Sequence, residues 1–99
     1  MKPYQDIDGI RIFDDNIDPI ELKWHRDLEN RIIISIEKTD WLFQFDNELP
    51  INIDVIYIPK LIWHRLIKGN GCLKLKIIEC QNLEHGNQIL KNNGHGTLL

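Results

Sequence analysis

The sequence contains no alanine, a single valine and only two cysteines among its 99 residues. Isoleucine, with 18 copies, takes the place of the smaller aliphatic residues, and this β-branched bias favours strands over helices. The two cysteines, Cys72 and Cys80, show neither C-x-x-C spacing nor a zinc-binding pattern. We therefore expect two reduced thiols in or near a core, and no structural zinc site.

Long apolar runs and an excess of positive charge are also missing. Apolar runs such as residues 32–34 are far shorter than the roughly 20 residues that span a bilayer. The N-terminus carries Asp6 and Asp8 and lacks the apolar stretch of a signal peptide. The net charge of −3 argues against a general nucleic-acid binder. These absences predict a soluble, cytoplasmic protein whose partner is neither a membrane nor a nucleic acid.

Apolar and polar residues alternate with the period of two that is typical of β-strands. This alternation predicts a hairpin around Asp8-Gly9 and a second hairpin turn at Asn70-Gly71. The predicted strands cover residues 10–13, 20–28, 31–37, 41–45, 51–58, 63–68 and 73–77. Short strands at this spacing indicate an all-β sandwich or barrel.

The length of the chain and its change of composition near the C-terminus predict one domain followed by a tail. The domain covers residues 1–83, and the Asn- and Gly-rich tail covers residues 84–99. We expect the tail to be weakly ordered, because terminal segments are ordered only where they dock onto the domain. Four apolar residues are available for such docking: Ile89, Leu90, Leu98 and Leu99.

The tripeptide Trp-His-Arg occurs twice, at residues 24–26 and 63–65. If each copy lies in a strand, its histidine points to one face, while its tryptophan and arginine point to the other. Asp27 shares the face of His25, about 6.5–7 Å further along the strand. Two histidines and one carboxylate that converge from neighbouring strands form a facial triad, which suits Fe(II) and similar divalent ions. The pattern predicts a metal site at His25, Asp27 and His64.

Two motifs around these histidines resemble those of the cupins, a family of small β-barrels. The first cupin motif contains H-x-H and then Glu, and this sequence has His25, Asp27 and, at the position of the Glu, Arg31. The second cupin motif contains P-x-G-x-x-H. Pro59 and His64 match its proline and its histidine at the same interval.

The resemblance covers residues 22–78 and implies a double-stranded β-helix (jelly-roll) barrel of the RmlC-like cupin type. It also implies a homodimer and one divalent transition metal, such as Fe, Mn, Ni or Zn. The activities that it suggests are those of a metal-dependent dioxygenase or isomerase. The sequence departs from the family pattern at five positions: Asp27 replaces a histidine, Arg31 replaces the glutamate, Ile53 and Leu61 replace glycines, and Lys68 replaces an asparagine that often follows the last histidine.

Two functional hypotheses follow, and neither assigns a catalytic residue. In the first, the metal is bound, and the protein acts on or binds a small polar or anionic molecule that Arg31 orients. In the second, the protein is a metal-free binding or structural module, in which Arg31 neutralises Asp27 and repels a divalent cation. An Arg31 side chain that points into the cavity and pairs with Asp27 favours the second hypothesis. One that points away favours the first.

Two further polar residues are candidates for contact with the ligand. Gln44 lies between Phe43 and Phe45, and it either points inward to a ligand or is a surface residue between two core aromatics. Tyr57 offers a hydroxyl to the same pocket.

The tryptophans of the repeated tripeptide should face away from the cavity, because their parity is opposite to that of the histidines. Trp24 and Trp63 would then pack against another layer or another subunit. Arg26 and Arg65 share this outer face, where they stack on the indole rings, meet Asp and Glu residues across an interface, or lie in solvent.

Overall fold

The computed structural model describes residues 2–96 and Leu98, which form eight β-strands, one 3-10 helix and one α-helix. The strands are β1 (Gln5–Ile7), β2 (Ile10–Phe13), β3 (Asn30–Ser35), β4 (Leu42–Phe45), β5 (Ile51–Asn52), β6 (Val55–Ile58), β7 (His64–Ile67) and β8 (Leu73–Cys80). The 3-10 helix covers Pro19–Glu21, and α1 covers Leu83–Asn92. Neither helix in this described part of the chain has the length and apolar character needed to cross a bilayer.

The strands form two antiparallel sheets, so the prediction of a mostly β fold is confirmed. The larger sheet has the order β1-β2-β8-β3-β6, and the smaller has the order β5-β4-β7. Within residues 2–96 and Leu98 these pairings give two separate sheets and no closed barrel. The main apolar core draws on both sheets, with Phe13, Ile33 and Leu75 from the larger sheet and Phe43 from the smaller one. The two sheets therefore face each other across this core.

The two predicted hairpins have different outcomes. Asp8 and Gly9 both have positive φ, 51° and 79°, and they join the paired strands β1 and β2 as a type I′ turn. Asn70-Gly71, by contrast, joins β7 to β8, which belong to different sheets, and so the hairpin predicted there is wrong. The Asp40 carboxylate holds this connection, because it accepts hydrogen bonds from the backbone and side chain of Asn70, both at 2.7 Å.

Two of the predicted strands are wrong in extent. Residues 51–58 are divided between the sheets: β5 pairs with β4, and β6 pairs with β3. Residues 20–28 are mostly irregular, since the Asp18 side chain caps the 3-10 helix and a single bridge at His25 is the β-pairing recorded in this segment. In both cases the local alternation is present, but it does not specify which neighbour the backbone pairs with.

The segment expected to be a weakly ordered tail contains most of α1, which begins at Leu83. Asn82 caps α1 by accepting a hydrogen bond from the backbone N–H of His85 at 2.8 Å. Leu90 is buried against Ile32, Ile34 and Cys80 on the outer face of the larger sheet. Docking of Leu90, Ile89 and Leu98 onto this sheet therefore agrees with the expectation, while Leu99 lies outside the described residues.

Candidate functional site

The two copies of Trp-His-Arg lie beside each other in antiparallel orientation. His25 and His64 form an isolated β-bridge in which each backbone N–H donates to the other's carbonyl, at 3.0 Å and 2.9 Å. Residues directly opposite each other in an antiparallel pair point to the same face. Both histidines therefore project to one side of the bridge, as the alternation predicts.

The side chains of His25, Asp27 and His64 gather on this side. The two imidazole centroids are 4.3 Å apart, and the rings meet edge to face. Asp27 Oδ2 lies 3.3 Å from Nε2 of His64. One ligand atom from each of the three residues lies within 4.8 Å of the others. The three residues predicted from the sequence to form a metal site are thus neighbours, at separations from which a single ion could be bound.

Backbone carbonyls determine which nitrogen of each imidazole is protonated. Nδ1 of His25 is 3.1 Å from the carbonyl of Lys23, and Nδ1 of His64 is 2.8 Å from the carbonyl of Ile62. Because a carbonyl oxygen only accepts hydrogen bonds, each Nδ1 must donate. In the neutral ring this leaves Nε2 with its lone pair free. The same arrangement orients metal-binding histidines in many proteins.

His64 is buried, with 3% of its surface exposed, and it stacks on Phe43 with 5.4 Å between the ring centroids. Burial lowers the pKa of His64 below its ordinary value of 6.5, and the charges of His25 and Arg31 act in the same direction. The Ile62 carbonyl and the Asp27 carboxylate oppose this lowering without reversing it. His64 is therefore neutral near pH 7.

The contact between His64 and Asp27 brings together two hydrogen-bond acceptors. Nε2 of the neutral His64 ring carries a lone pair, and the Asp27 carboxylate has no proton to donate. At 3.3 Å these atoms repel each other unless a proton on Nε2 or a metal cation lies between them. Metal–nitrogen and metal–oxygen bonds of about 2.0–2.2 Å allow neighbouring ligand atoms on one ion to be about 3 Å apart. The donor set and its spacing therefore fit a divalent metal.

Arg31 lines the same cavity. Its Nη1 atom lies 3.4 Å from Asp27 Oδ1, and its Nη2 atom lies 3.5 Å from Glu29 Oε2. Its Nε is buried and has no hydrogen-bond partner among the described residues. The two carboxylate oxygens of Asp27 thus divide their contacts, with Oδ1 toward Arg31 and Oδ2 toward His64.

The cavity that contains these residues lies between the two sheets and has a volume of about 420 Å³. The histidines, Asp27 and Arg31 line it, together with four other charged residues: Lys2, Arg11, Glu21 and Lys23. The apolar part of its wall includes side chains of both sheets, among them Phe13, Ile33, Phe43, Ile58, Leu66 and Ile77. A volume of this size is typical of sites for small organic molecules.

Gln44 and Tyr57, both predicted to contact a ligand, do not line this cavity. Gln44 points to the opposite face of the small sheet, where its Oε1 accepts a hydrogen bond from Arg65 Nε at 2.9 Å. Tyr57 packs in the cluster beneath α1, on the outer face of the larger sheet. Both alternate with inward-facing apolar neighbours, such as Phe43 and Ile58, which explains their outward orientation.

The N-terminal segment contributes cavity residues that the sequence reasoning missed. Tyr4 and Arg11 both line the cavity, and the Arg11 guanidinium lies 3.8 Å from the centroid of the Tyr4 ring. Arg11 also donates two hydrogen bonds to Asp6, at 2.9 Å and 3.2 Å. The available signal was its position two residues before Phe13 on the same strand, because Phe13 is a core residue of that face.

The outer face of the paired tripeptides is formed by two crossed pairs of arginine and tryptophan. The Arg65 guanidinium lies 4.6 Å from the Trp24 ring, and that of Arg26 lies 5.2 Å from the Trp63 ring. Antiparallel pairing places each tryptophan opposite the arginine of the other copy, within the range of cation–π attraction. The arginines therefore stack on the rings, which was one of the three alternatives left open by the sequence.

Comparisons with known proteins add little about function. No protein-family model and no curated protein matches the chain. A solved structure with some similarity is that of protein NMB1881 from Neisseria meningitidis, with 19% sequence identity and a TM-score of 0.48. The similarity covers 79% of this chain and 80% of that chain.

Proposed function

We propose that this is a small cupin-type protein that holds one divalent transition metal at His25, Asp27 and His64 and acts on or binds a small anionic molecule. The approach of His64 Nε2 to Asp27 Oδ2, 3.3 Å apart, carries the proposal, because a divalent cation bound to both atoms would remove the repulsion between a free imidazole lone pair and a carboxylate. The neutral state of His64 and the carbonyl contacts of both Nδ1 atoms add support, since metal ligation requires a free imidazole lone pair.

The residues of the chain have separate roles in this proposal. His64 is the rigid ligand, because it is buried and stacked, whereas His25 completes the site from the exposed end of the bridge. Arg31 lies beside Asp27 and offers its guanidinium to an anionic ligand. A metal bound here would supply Lewis-acid polarisation of an oxygen on that ligand.

The finer features of the fold belong to the same proposal. Two antiparallel sheets that face each other across a cavity are consistent with a jelly-roll arrangement of the cupin type. We propose a homodimer located in the cytoplasm, with the exposed tryptophans of the outer face as the region to inspect for subunit contact. Light scattering coupled to size-exclusion chromatography would determine the number of subunits.

A metal-free binding module is the second candidate function, and one observation favours it. Arg31 lines the cavity and lies 3.4 Å from Asp27, which is the orientation expected when the arginine neutralises the carboxylate. This contact involves Oδ1 alone and is longer than a charge-assisted hydrogen bond of about 2.7–2.9 Å. Asp27 Oδ2 therefore stays available to a cation, and the first candidate is the better supported one.

The test is the metal content of untagged protein, measured by mass spectrometry before and after reconstitution with first-row divalent ions. We expect about one equivalent per chain, as for one three-ligand site. His64→Ala, His25→Ala and the nearly isosteric Asp27→Asn should each reduce the content to background. His95→Ala is the matched control, because His95 is exposed and lies outside the cavity.

Each outcome of this measurement decides between the two candidates. Metal that is present in the wild type and in His95→Ala, but is lost from the other three variants, supports the metal site. A wild-type protein that takes up no metal after reconstitution overturns it and favours the metal-free binding module.

A further inference from the structure

We infer that the ligand of this cavity is a monocarboxylate with an apolar body, bound with its carboxylate on Arg31 and its body between the two sheets. This inference rests on the proposed function and names the class of molecule that the site takes. It also makes Arg31 the residue that determines specificity.

The Arg31 guanidinium has hydrogen-bond donors that its neighbouring carboxylates leave unused. A guanidinium has five N–H donors. The contacts of Arg31 with Asp27 and Glu29, at 3.4 Å and 3.5 Å, are longer than the about 2.7–2.9 Å of a charge-assisted hydrogen bond. Its side chain is 23% exposed. The guanidinium is thus a half-buried cation with donors still available to a ligand in the cavity.

Arg11, Lys2 and Lys23 also line the cavity, and Arg31 differs from each of them. Arg11 is engaged by two hydrogen bonds to Asp6 and by the face of Tyr4. Lys2 and Lys23 are exposed, where a single charge attracts an anion only weakly. Arg31 is therefore the cation of the described wall that combines partial burial with unsaturated donors, and an anion should bind there.

The charge and the planar shape of the Arg31 guanidinium determine which anion matches it. A carboxylate is planar and matches the two parallel donors of a guanidinium. In the metal-free site, one guanidinium neutralises one negative charge, whereas a phosphate dianion would leave a second charge without a partner at Arg31. Asp27 and Glu29, beside Arg31, repel any anion, and they repel a dianion more strongly than a monoanion. The site therefore favours a monocarboxylate over a phosphate.

An apolar surface of the cavity begins next to Arg31. Ile33 is two residues along β3 and shares its face, and Ile33 pairs directly with Ile77 of β8. On the opposite sheet, Phe43 pairs with Leu66 and both line the cavity. A ligand held at Arg31 thus lies between two apolar layers, and an alkyl or aryl body would bury against both of them.

The experiment is calorimetric titration of the metal-free protein in excess EDTA with sodium acetate, sodium hexanoate, sodium octanoate and 1-octanol. We expect octanoate to bind and each methylene to tighten binding about fourfold, so that hexanoate binds about 15-fold more weakly. Acetate, with four fewer methylenes than hexanoate, should bind far more weakly than hexanoate, and octanol should bind at least about tenfold more weakly than octanoate. Arg31→Gln should weaken octanoate binding by at least about tenfold, and Arg31→Lys by less. Arg26→Gln, on the outer face, is the control.

Several results would overturn the inference, even if Arg31→Gln failed to fold. Octanol that binds the wild type as tightly as octanoate would show that the charge is not recognised. Acetate that binds as tightly as octanoate would show that the apolar wall is not used. Absence of octanoate binding, or equal binding by a folded Arg31→Gln, would also refute it. Because EDTA removes the metal, these results are independent of the metal content that tests the proposed function.

Discussion

The two copies of Trp-His-Arg have the same sequence but different surroundings. His64 is the first residue of β7, pairs with Phe45 of β4 on one side and with His25 on the other, and is 3% exposed. His25 lies in an irregular segment, has His64 as its recorded β-partner, and is exposed. The hydrogen bond from Nδ1 to a backbone carbonyl is also shorter for His64, at 2.8 Å against 3.1 Å.

This difference shows that burial comes from the position in the sheet and not from the tripeptide. The second copy lies within the smaller sheet, while the first copy is added to its open edge. The position of His25 therefore depends on His64, but the position of His64 is also held by β4 and by the ring of Phe43. Substitutions in the two copies should have unequal effects, and four predictions use this inequality.

The largest expected effect is on the free energy of unfolding of the metal-free protein when either histidine is truncated. His64→Ala removes a buried ring that packs on Phe43 and should lower this free energy by about 2–3 kcal/mol. His25→Ala removes an exposed side chain and should change it by less than about 0.5 kcal/mol. Urea denaturation in EDTA measures both values. Equal losses would mean that the two copies are equally built into the fold.

The second prediction concerns pH, again in the metal-free protein. The folded-state pKa of His64 is lowered by burial, so the unfolded chain takes up a proton on His64 before the folded chain does. Stability should therefore fall as the pH drops below about 6.5, toward the folded pKa. His64→Gln should flatten the change in urea midpoint between about pH 7.5 and about pH 5.5. His25→Gln should keep most of that change, because burial is the largest cause of the lowered His64 pKa and His25 is a smaller one. A wild type that is more stable at the lower pH would contradict the prediction.

Much of the β architecture could be predicted from the sequence, because alternation is a local property. β4 and β7 fall within predicted strands, while β3 begins one residue before its predicted strand and β8 continues past its predicted end at residue 77 to Cys80. The division of residues 51–58 could not be predicted, since the alternation continues while the backbone changes partner from β4 to β3. Pairing partners depend on tertiary contacts that leave no local signal.

Helix α1 was missed for a different reason. Its Asn and Gly content suggested irregular structure, yet Leu83, Gly86 and Leu90 have the spacing of a helix face. A side chain at position 86 would approach Ile32 to 3.0 Å, so glycine allows the helix to lie close to the sheet. Gly86, whose residue type suggested irregular structure, is therefore a residue that lets α1 lie close to the larger sheet.

The candidate site was predictable where parity decides orientation, as for His25, Asp27 and His64. Gln44 and Tyr57 were left as candidates for ligand contact because parity defines two faces without saying which one is the core. The neighbours of these residues along each strand face the cavity, so both residues face away from it. The inward position of Arg31 and the contribution of Tyr4 depend on contacts between distant segments, which a single sequence does not specify.

The third prediction compares the two arginines of the outer face. Arg65 stacks at 4.6 Å and also donates to Gln44 at 2.9 Å, whereas Arg26 stacks at 5.2 Å. Arg65→Ala should lower the free energy of unfolding by about 1 kcal/mol. Arg26→Ala should lower it by less than about 0.5 kcal/mol. Thermal and urea denaturation at moderate ionic strength would test this order, and a larger effect of Arg26→Ala would reverse the comparison.

The smallest expected effect isolates the cation–π contacts themselves. A double-mutant cycle between Trp24 and Arg65 should give a coupling energy of about 0.5–1 kcal/mol, since the guanidinium lies directly within range of the ring. The cycle between Trp63 and Arg26 should give less, because that separation is longer, at 5.2 Å. The repeated tripeptide would then contribute twice to the fold, once through its paired backbone and once through its crossed side chains. Coupling energies near zero in both cycles would instead assign the whole contribution to the backbone bridge and the histidines.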